Sequence, residues 1–251
     1  MKALILNSGK GFRMGMLTTQ HPKCMTEISP RQTILSRQLE QMYSYGIENV
    51  VITTGFLDKA LMNYCQGLDL PLHFTFVRNP MYEDTNYIYS IYCAREYLMD
   101  DDILLLHGDM VFENKVLEQM LAFNKSCMAV SSTVPLPMKD FKVVLNKQRN
   151  IKAIGVEYFN EAMTAMPVYK LLRAEWGLWL EKIKEYCERG ERGCYAEKAY
   201  NDISDRAAIY PLDVQNMLCA EIDTPEDLQR IKDKVQEIDI GFHCNPGSNS
   251  I

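Results

Sequence analysis

Ala3-Leu4-Ile5-Leu6-Asn7-Ser8-Gly9-Lys10-Gly11-Phe12-Arg13, followed by His21-Pro22-Lys23-Cys24-Met25-Thr26-Glu27-Ile28, is the stretch from which the rest of the chain can be read. A short apolar run that stops at Asn-Ser-Gly-Lys-Gly predicts a buried parallel strand feeding a glycine loop, where backbone can approach a ligand closely. The loop also carries cations. Arg13 and Lys23 are spaced so that one can hold a polyphosphate while the other reaches the phosphorus under attack, and loop amides add donors. A nucleotide site is the reading that uses all of these features. A lone Gly-x-Gly after a strand is a weak signal and also describes an ordinary turn. The dinucleotide fingerprint is excluded, because Phe12, Arg13 and Met14 all precede Gly15. A P-loop is excluded too, because no Gly-Lys-Ser/Thr follows at the required spacing.

The order Gly9-x-Gly11-x-Arg13, then Pro22-Lys23, resembles the signature of nucleotidyltransferases that activate sugar phosphates and small phospho-alcohols, in particular the cytidylyltransferase branch. Where that family has Ala-Ala-Gly, this chain has Asn7-Ser8-Gly9, with slightly larger polar residues under the base. The resemblance implies an α/β fold: a doubly wound, mostly parallel, Rossmann-like (GT-A-type) mixed sheet flanked by helices, with a smaller β-rich acceptor-side lobe. It also implies nucleotide contacts from Leu6, Asn7, Ser8, Gly9, Lys10 and Gly11, with Lys23 and Arg13 as catalytic cations.

The rest of the chain is consistent with that outline. Its 251 residues, 47% hydrophobic and 24% charged, suit one large domain over 1–240, with a nucleotide-binding half to about 126 and an acceptor-binding half from 127. A formal charge of −6 argues against nucleic-acid and membrane-surface partners, which need basic patches. No apolar stretch approaches the roughly 18 residues that span a bilayer, and the N-terminus does not read as a signal peptide. The eight cysteines have no metal-binding spacing and are expected to be reduced, in a cytoplasmic protein. Oligomeric state is not readable.

Periodicity predicts a helix over 33–45 ending at Gly46, a strand over 50–54, a helix over 57–65 and a strand over 72–77. This repeated β-α unit is of the doubly wound kind. After the loop Arg78 to Asn86, a helix runs from Tyr87 to about Met99. Asn86 reads as its N-cap, and Ser90 lies four residues on, along the same face. The Asn-x-x-x-Ser pattern after Asn-Pro resembles the pyrimidine-contacting segment of the cytidylyltransferases. A fourth strand, 102–106, delivers His107-Gly108-Asp109 to the edge where α/β sheets bind ligands, which makes Asp109 a candidate metal ligand.

From Cys127 the pattern changes to successive strands, including a hairpin over 142–156. A helix over about 171–187 carries Trp176, Trp179, Leu180 and Ile183 as core. Tyr195 to Ile203 resembles the family's acidic acceptor segment. Tyr195 and Glu197, with Tyr169 and Glu221, are the expected acceptor contacts, since an aromatic ring beside a carboxylate suits an ammonium head. Leu218 to Leu228 reads as a short strand, then a helix capped by Thr224 and opened by Pro225. It resembles the family's C-terminal metal motif, with Asp223 as the second metal ligand. The tail, 241–251, is expected to be mobile.

The implied chemistry is Mg²⁺-dependent transfer of a cytidylyl group from CTP to a small phosphorylated or phosphonate acceptor. Phosphocholine is the first expectation, then 2-aminoethylphosphonate or phosphoethanolamine. A sugar 1-phosphate or inositol phosphate is the alternative acceptor, for which Asn201, Asp202 and Asp205 would supply hydroxyl contacts. A non-catalytic nucleotide-binding module is the alternative of another class. A glycosyltransferase would need Asp-x-Asp where this chain has His107-Gly108-Asp109.

Overall fold

The computed structural model describes residues 1–243. The chain begins with β1 (Lys2–Asn7), then β2 (Glu27–Ser29), β3 (Gln32–Thr33), α1 (Ile34–Ser44), β4 (Asn49–Thr54), α2 (Asp58–Gly67), β5 (His73–Arg78), α3 (Tyr87–Leu98) and β6 (Ile103–His107). It continues through β7 (Met110–Phe112), α4 (Asn114–Ala122), β8 (Cys127–Ser131), β9 (Lys142–Leu145), β10 (Ile151–Gly155), β11 (Ala162–Leu171) and α5 (Arg173–Glu188). It ends with α6 (Ala196–Asn201), β12 (Tyr210–Asp213), β13 (Cys219–Glu221) and α7 (Pro225–His243).

One nine-stranded sheet runs β10-β9-β11-β6-β1-β4-β5, with β8 pairing β11 and β12. β5, β4, β1 and β6 are all parallel, in the spatial order of a doubly wound nucleotide-binding half. Alternation along the central strands divides two cores: Leu4, Val51 and Leu105 face α3, α5 and α6, whereas Ala3, Ile5, Ile52 and Leu104 face α1, α2 and α4. Trp176, Trp179, Leu180 and Ile183 are buried in the first core, as their helical spacing predicts.

Local chemistry sets several of the boundaries. The Thr33 hydroxyl accepts from the Ser36 amide and the Ser36 hydroxyl from the Thr33 amide, both at 3.0 Å, so a capping box starts α1. At its end, Gly46 adopts φ 73°, and the amides of Gly46 and Ile47 donate to Tyr43 and Met42 carbonyls, closing a Schellman turn.

Five strands escape the sequence reading; two of them, β2 and β3, form a short antiparallel hairpin ahead of α1. β11 pairs antiparallel with β6, β8 and β9 and closes the open edge of the parallel half, although Pro167 interrupts it. The register with β8 shifts between Met166 and Tyr169, so the residue that cannot donate falls at a bulge. β12 is four residues long and pairs parallel with β8. β7 is three residues long and pairs antiparallel with β13, Glu221 opposite Met110. β8 to β12 thus extend the same sheet, whereas β13 pairs with β7 in a separate two-stranded one. The expected tail begins later than position 241, because α7 runs to His243; the remainder of that expectation, 244–251, lies outside the described residues. Among the described residues no helix is long and apolar enough to cross a membrane, and Cys24, Cys65, Cys93, Cys127, Cys187, Cys194 and Cys219 are unbridged.

Candidate active site

Parallel pairing puts Leu6 beside His107, and the Gly108 amide donates to the Leu6 carbonyl at 3.1 Å, so the loops after β1 and β6 meet at the carboxyl edge of the sheet. The contact is too close for any side chain: a Cβ on Gly108 would lie 1.7 Å from Asn7 Oδ1. The short β7–β13 ladder then brings a remote segment to the same place, and the Ile222 amide donates to the Asp109 carbonyl at 3.0 Å. Asp109 and Asp223 consequently face one ammonium. Lys23 Nζ lies 2.7 Å from Asp109 Oδ2 and 2.5 Å from Asp223 Oδ1, and Arg13 Nη2 lies 2.9 Å from that same Asp223 oxygen. Gly11, at φ 64°, lets the loop fold over Lys23; a Cβ there would touch the Lys23 side chain at 3.0 Å.

Burial pulls the Lys23 ammonium down, but the two carboxylates outweigh it and hold its pKa above the ordinary lysine value. Burial pushes Asp109 up, yet Lys23 and His107 hold it below the ordinary carboxylate value. Both groups therefore stay charged near neutrality. Beside them, His107 Nδ1 lies 3.5 Å from Glu221 Oε1. Burial pushes Glu221 up, as does the neighbouring Asp109 carboxylate, against the pull of His107.

These residues suit a divalent cation. Asp109 Oδ1 is buried without a hydrogen-bond partner among the described residues, which leaves a desolvated anionic oxygen for an ion to satisfy. Ligand atoms of Asp140, Glu221 and Asp223 lie within 4.8 Å of one another, as do those of His107, Asp109 and Glu221.

Two further cavities flank this centre. One, of about 310 Å³, runs from Leu6, Ser8 and Gly9 to Asn86, Ser90 and Gly108. Asn86 caps α3, its side chain accepting from the Tyr87 amide at 2.7 Å, and also lines this cavity. The other, of about 410 Å³, has Arg13 and Lys139 at its wall with the rings of Tyr87, Phe141 and Tyr195, and the carboxylates of Asp140 and Glu221. The rings contact one another, Phe141 and Tyr195 edge to face at 4.8 Å and Tyr87 and Tyr195 tilted at 5.7 Å. Asn7 and Gly9 line a third cavity with Arg13 and Lys23, where the buried Asn7 Nδ2 is a donor with no partner among the described residues. Lys10 pairs with Glu83 and lies over the Phe12 and Tyr82 rings, tying the glycine loop to the loop before α3.

Two expected acceptor contacts need correction. Glu197 and Tyr169 are 1% and 0% exposed and stand behind the wall of the aromatic cavity. The Glu197 carboxylate accepts from the hydroxyls of Tyr87 and of Tyr169, the latter at 2.8 Å, so both of its oxygens are engaged inside the wall and it orients Tyr87. Burial and the Glu197 charge push both phenols well above their ordinary pKa, which keeps them protonated donors. Tyr195 and Glu221 do line the cavity. The sequence reading missed Tyr87, His107, Asp140 and Phe141 as wall residues, and it missed Gly55. A Cβ on Gly55 would lie 2.5 Å from the Ser8 carbonyl. Tyr87 follows the cap Asn86 directly and was open to discovery. Phe141 and Asp140 lie in a proline-broken loop with no periodicity.

The sequence profile of the MobA-like NTP transferase domain matches residues 3–145. Among curated proteins the chain is similar to the CMP-5'-(3-aminopropyl)phosphonate synthase of Streptomyces rubellomurinus, 35% identical over 136 residues, covering 54% of this chain and 21% of that protein. It is also similar to the CTP:phosphoglutamine cytidylyltransferase of Campylobacter jejuni, 29% identical over 126 residues, covering 48% of each. The chain thus matches less than half the length of either relative. The fold is that of the CTP:phosphocholine cytidylyltransferase from Streptococcus pneumoniae, with a TM-score of 0.74 at 19% identity, over 93% of this chain and 98% of that one. It is equally that of the inositol-1-phosphate CTP transferase from T. maritima, with a TM-score of 0.75 at 22% identity, over 94% and 96%. With its glycine loop, lysine and paired aspartates at the carboxyl edge of a doubly wound sheet, and with the profile covering more than half its length, the chain belongs to the family of MobA-like NTP transferase domains.

Proposed function

We propose that the protein is a Mg²⁺-dependent cytidylyltransferase that joins CTP to a small acceptor carrying a phosphate or phosphonate at one end and an ammonium at the other. Phosphocholine, 2-aminoethylphosphonate and phosphoethanolamine are the candidate acceptors. The observation that carries this reading is the juxtaposition of Lys23, Asp109 and Asp223 with a cavity walled by three aromatic rings and two carboxylates. Aromatic faces and carboxylates together recognise a cation, which supports an ammonium head on the acceptor. The relatives that act on an aminopropylphosphonate and on phosphocholine support the same class. In this reading the nucleotide-binding half covers about 1–126 and the acceptor-binding half 127–240.

The acceptor's anionic oxygen attacks the α-phosphorus of CTP in line, the bond to the β-phosphate breaks, and pyrophosphate leaves. No general base is required, because the attacking oxygen carries no proton. Lys23 stabilises charge on the α-phosphate and Arg13 holds the departing pyrophosphate. Leu6, Ser8, Gly9, Asn86, Ser90 and Gly108 enclose the base, and Tyr195, Tyr87 and Glu221 hold the acceptor's head. Asp109 and Asp223 would hold the cation, which supplies charge neutralisation between acceptor and α-phosphate.

The test is pyrophosphate release with Mg²⁺, across CTP, UTP, ATP and GTP, each against the three amino-headed acceptors, inositol 1-phosphate and glucose 1-phosphate. Release with CTP and an amino-headed acceptor is expected. Release only with a sugar or inositol phosphate would overturn the acceptor, and silence from protein that still binds CTP would favour a binding module.

A further inference from the structure

Asp109 stands in the short turn where the chain leaves β6 in the main sheet and enters β7 in the small ladder. That ladder is bonded through Asp109 and Glu113: the Ile222 amide donates to the Asp109 carbonyl at 3.0 Å and the Glu113 amide to the Leu218 carbonyl at 2.9 Å. By the alternation of an antiparallel pair, the carbonyls of Met110 and Phe112 then point to the opposite edge, which pairs with no other strand among the described residues. Side chains of α1 take that place. Gln38 Nε2 donates to the Met110 carbonyl at 2.8 Å, and about one helical turn on Gln41 Nε2 donates to the Phe112 carbonyl at 2.9 Å. Gln38 does more than complete the edge, because Nε2 also donates to the His107 carbonyl at 3.0 Å. One carboxamide, 1% exposed, thus holds both ends of the turn that carries Asp109. Its Oε1 has no partner among the described residues. Turning the amide over would set that oxygen against two carbonyl oxygens, so its orientation is fixed.

We infer that Gln38 is a positioning residue for the cation: by clamping the turn between His107 and Met110 it fixes the Asp109 carboxylate against Lys23 and Asp223. The role rests on Asp109 as a cation ligand, as proposed above. The same helix also reaches the other side of the site. The Ile34 amide donates to the Thr26 carbonyl at 3.1 Å and the Thr26 amide to the Lys23 carbonyl at 3.0 Å, so α1 sets both the segment bearing Lys23 and the turn bearing Asp109. Between them, Lys23 Nζ and Asp109 Oδ2 meet at 2.7 Å. Without the carboxamide, two carbonyls on either side of Asp109 lose their buried donor, and the turn shifts toward other partners. A carboxylate displaced in this way holds a divalent ion less well; partners behind a metal ligand are worth roughly 10- to 100-fold in affinity or rate. The base cavity keeps its shape through a different bond, from the Gly108 amide to the Leu6 carbonyl at 3.1 Å.

The measurement compares wild type, Gln38→Met and Gln41→Met. The readouts are the Mn²⁺ dissociation constant in the presence of CMP, from the electron paramagnetic resonance of the free ion, and kcat for pyrophosphate release with Mg²⁺. The CMP dissociation constant without metal, by calorimetry, and the melting temperature complete the set. Methionine keeps the length of the side chain and removes both protons. Gln38→Met is expected to weaken Mn²⁺ binding and to lower kcat, each by roughly 10- to 100-fold, with the CMP constant kept. Gln41 is the control, because it also makes two such bonds, to the Phe112 carbonyl and to Asn114 Oδ1, but beyond the turn. Gln41→Met should lower the melting temperature comparably while leaving Mn²⁺ binding and kcat near the wild type's. Wild-type Mn²⁺ affinity in Gln38→Met, or an equal loss of affinity in both variants, would overturn the inference. Should Gln38→Met not fold, as read by its melting curve, Gln38→Glu decides by the same readouts, since a carboxyl of that shape has at most one proton to give. A wild type that binds Mn²⁺ but releases no pyrophosphate from any pair of substrates would remove the proposed transfer, and Mn²⁺ binding would still decide the clamp. A wild type that binds no Mn²⁺ would remove Asp109 as a cation ligand and the clamp with it.

Discussion

At the scale of single residues, Lys23 is held between Asp109 and Asp223, and Arg13 supports it from the second carboxylate. Opposed charges at this spacing keep the ammonium in place and charged, ready for the phosphate that a nucleotide brings. Lys23→Ala is expected to lower pyrophosphate release by about 10²-fold or more with an unchanged circular dichroism spectrum, the scale of losing one preorganised charge. A rate near the wild type's would remove the mechanism. Gly108 is constrained by space: its missing Cβ would meet Asn7 Oδ1 and lie 2.8 Å from the Leu6 carbonyl. Gly108→Ala should therefore cost about 1–3 kcal/mol in urea unfolding, because β1 and β6 must part to admit a methyl group. Glu197, behind the cavity, accepts from the Tyr87 hydroxyl and orients a ring that lines the wall beside His107.

At the scale of elements, the β7–β13 ladder is small and decisive. Three residue pairs join segments more than a hundred positions apart, and through them Asp223 reaches Asp109. A second such clamp lies at the end of β12. The Asp213 carboxylate accepts from the amide and hydroxyl of Ser132, at 3.1 and 2.6 Å, and from the Gln215 amide at 3.0 Å. Burial pushes this carboxyl up, but those donors prevail and hold it below its ordinary value. A carboxylate with a depressed pKa stabilises the folded state above its unfolded pKa and ceases to do so as pH falls through the folded one. Asp213→Asn is thus expected to lower stability by up to about 1 kcal/mol at neutral pH, since the group is partly solvated. The difference from wild type should shrink below about pH 4, near the ordinary aspartate pKa. Urea titrations at several pH values check this; a constant difference would show that the charge is not involved.

At the scale of the whole molecule, the candidate site is assembled from both halves of one sheet. The family profile stops at residue 145, yet Asp223 and Tyr195 come from beyond it, and β11 pairs directly with β6. The first core is shared as well, with α3 packing against Trp176 and Trp179 of α5. Residues 1–145 expressed alone would expose the edge of β6 and the apolar face of α3, and should show no cooperative thermal transition. A sharp melt from that fragment would mean the halves are independent.

Apart from the short β2–β3 hairpin, the order of elements through β6 was legible because each depends on near neighbours: the apolar run before Gly9, the helical spacing that ends at Gly46, the cap at Asn86. The carboxylates and cations were legible as well, since their residue types and order carry the family resemblance. What the linear pattern left out depends on residues far apart in the chain. β11 is disguised by Pro167, which the sheet tolerates only at a bulge defined by β8. β7 and β12 are too short for any period to show. Tyr169 and Glu197 have the chemistry of a cation site, but the hydroxyls of Tyr87 and Tyr169 take up the carboxylate behind the wall. Sequence by itself determined the parallel half, the glycine loop and the charged groups at its edge, all products of local backbone chemistry. Tertiary structure alone decided which side chains face the cavities, because that follows from long-range strand pairing and the burial it enforces.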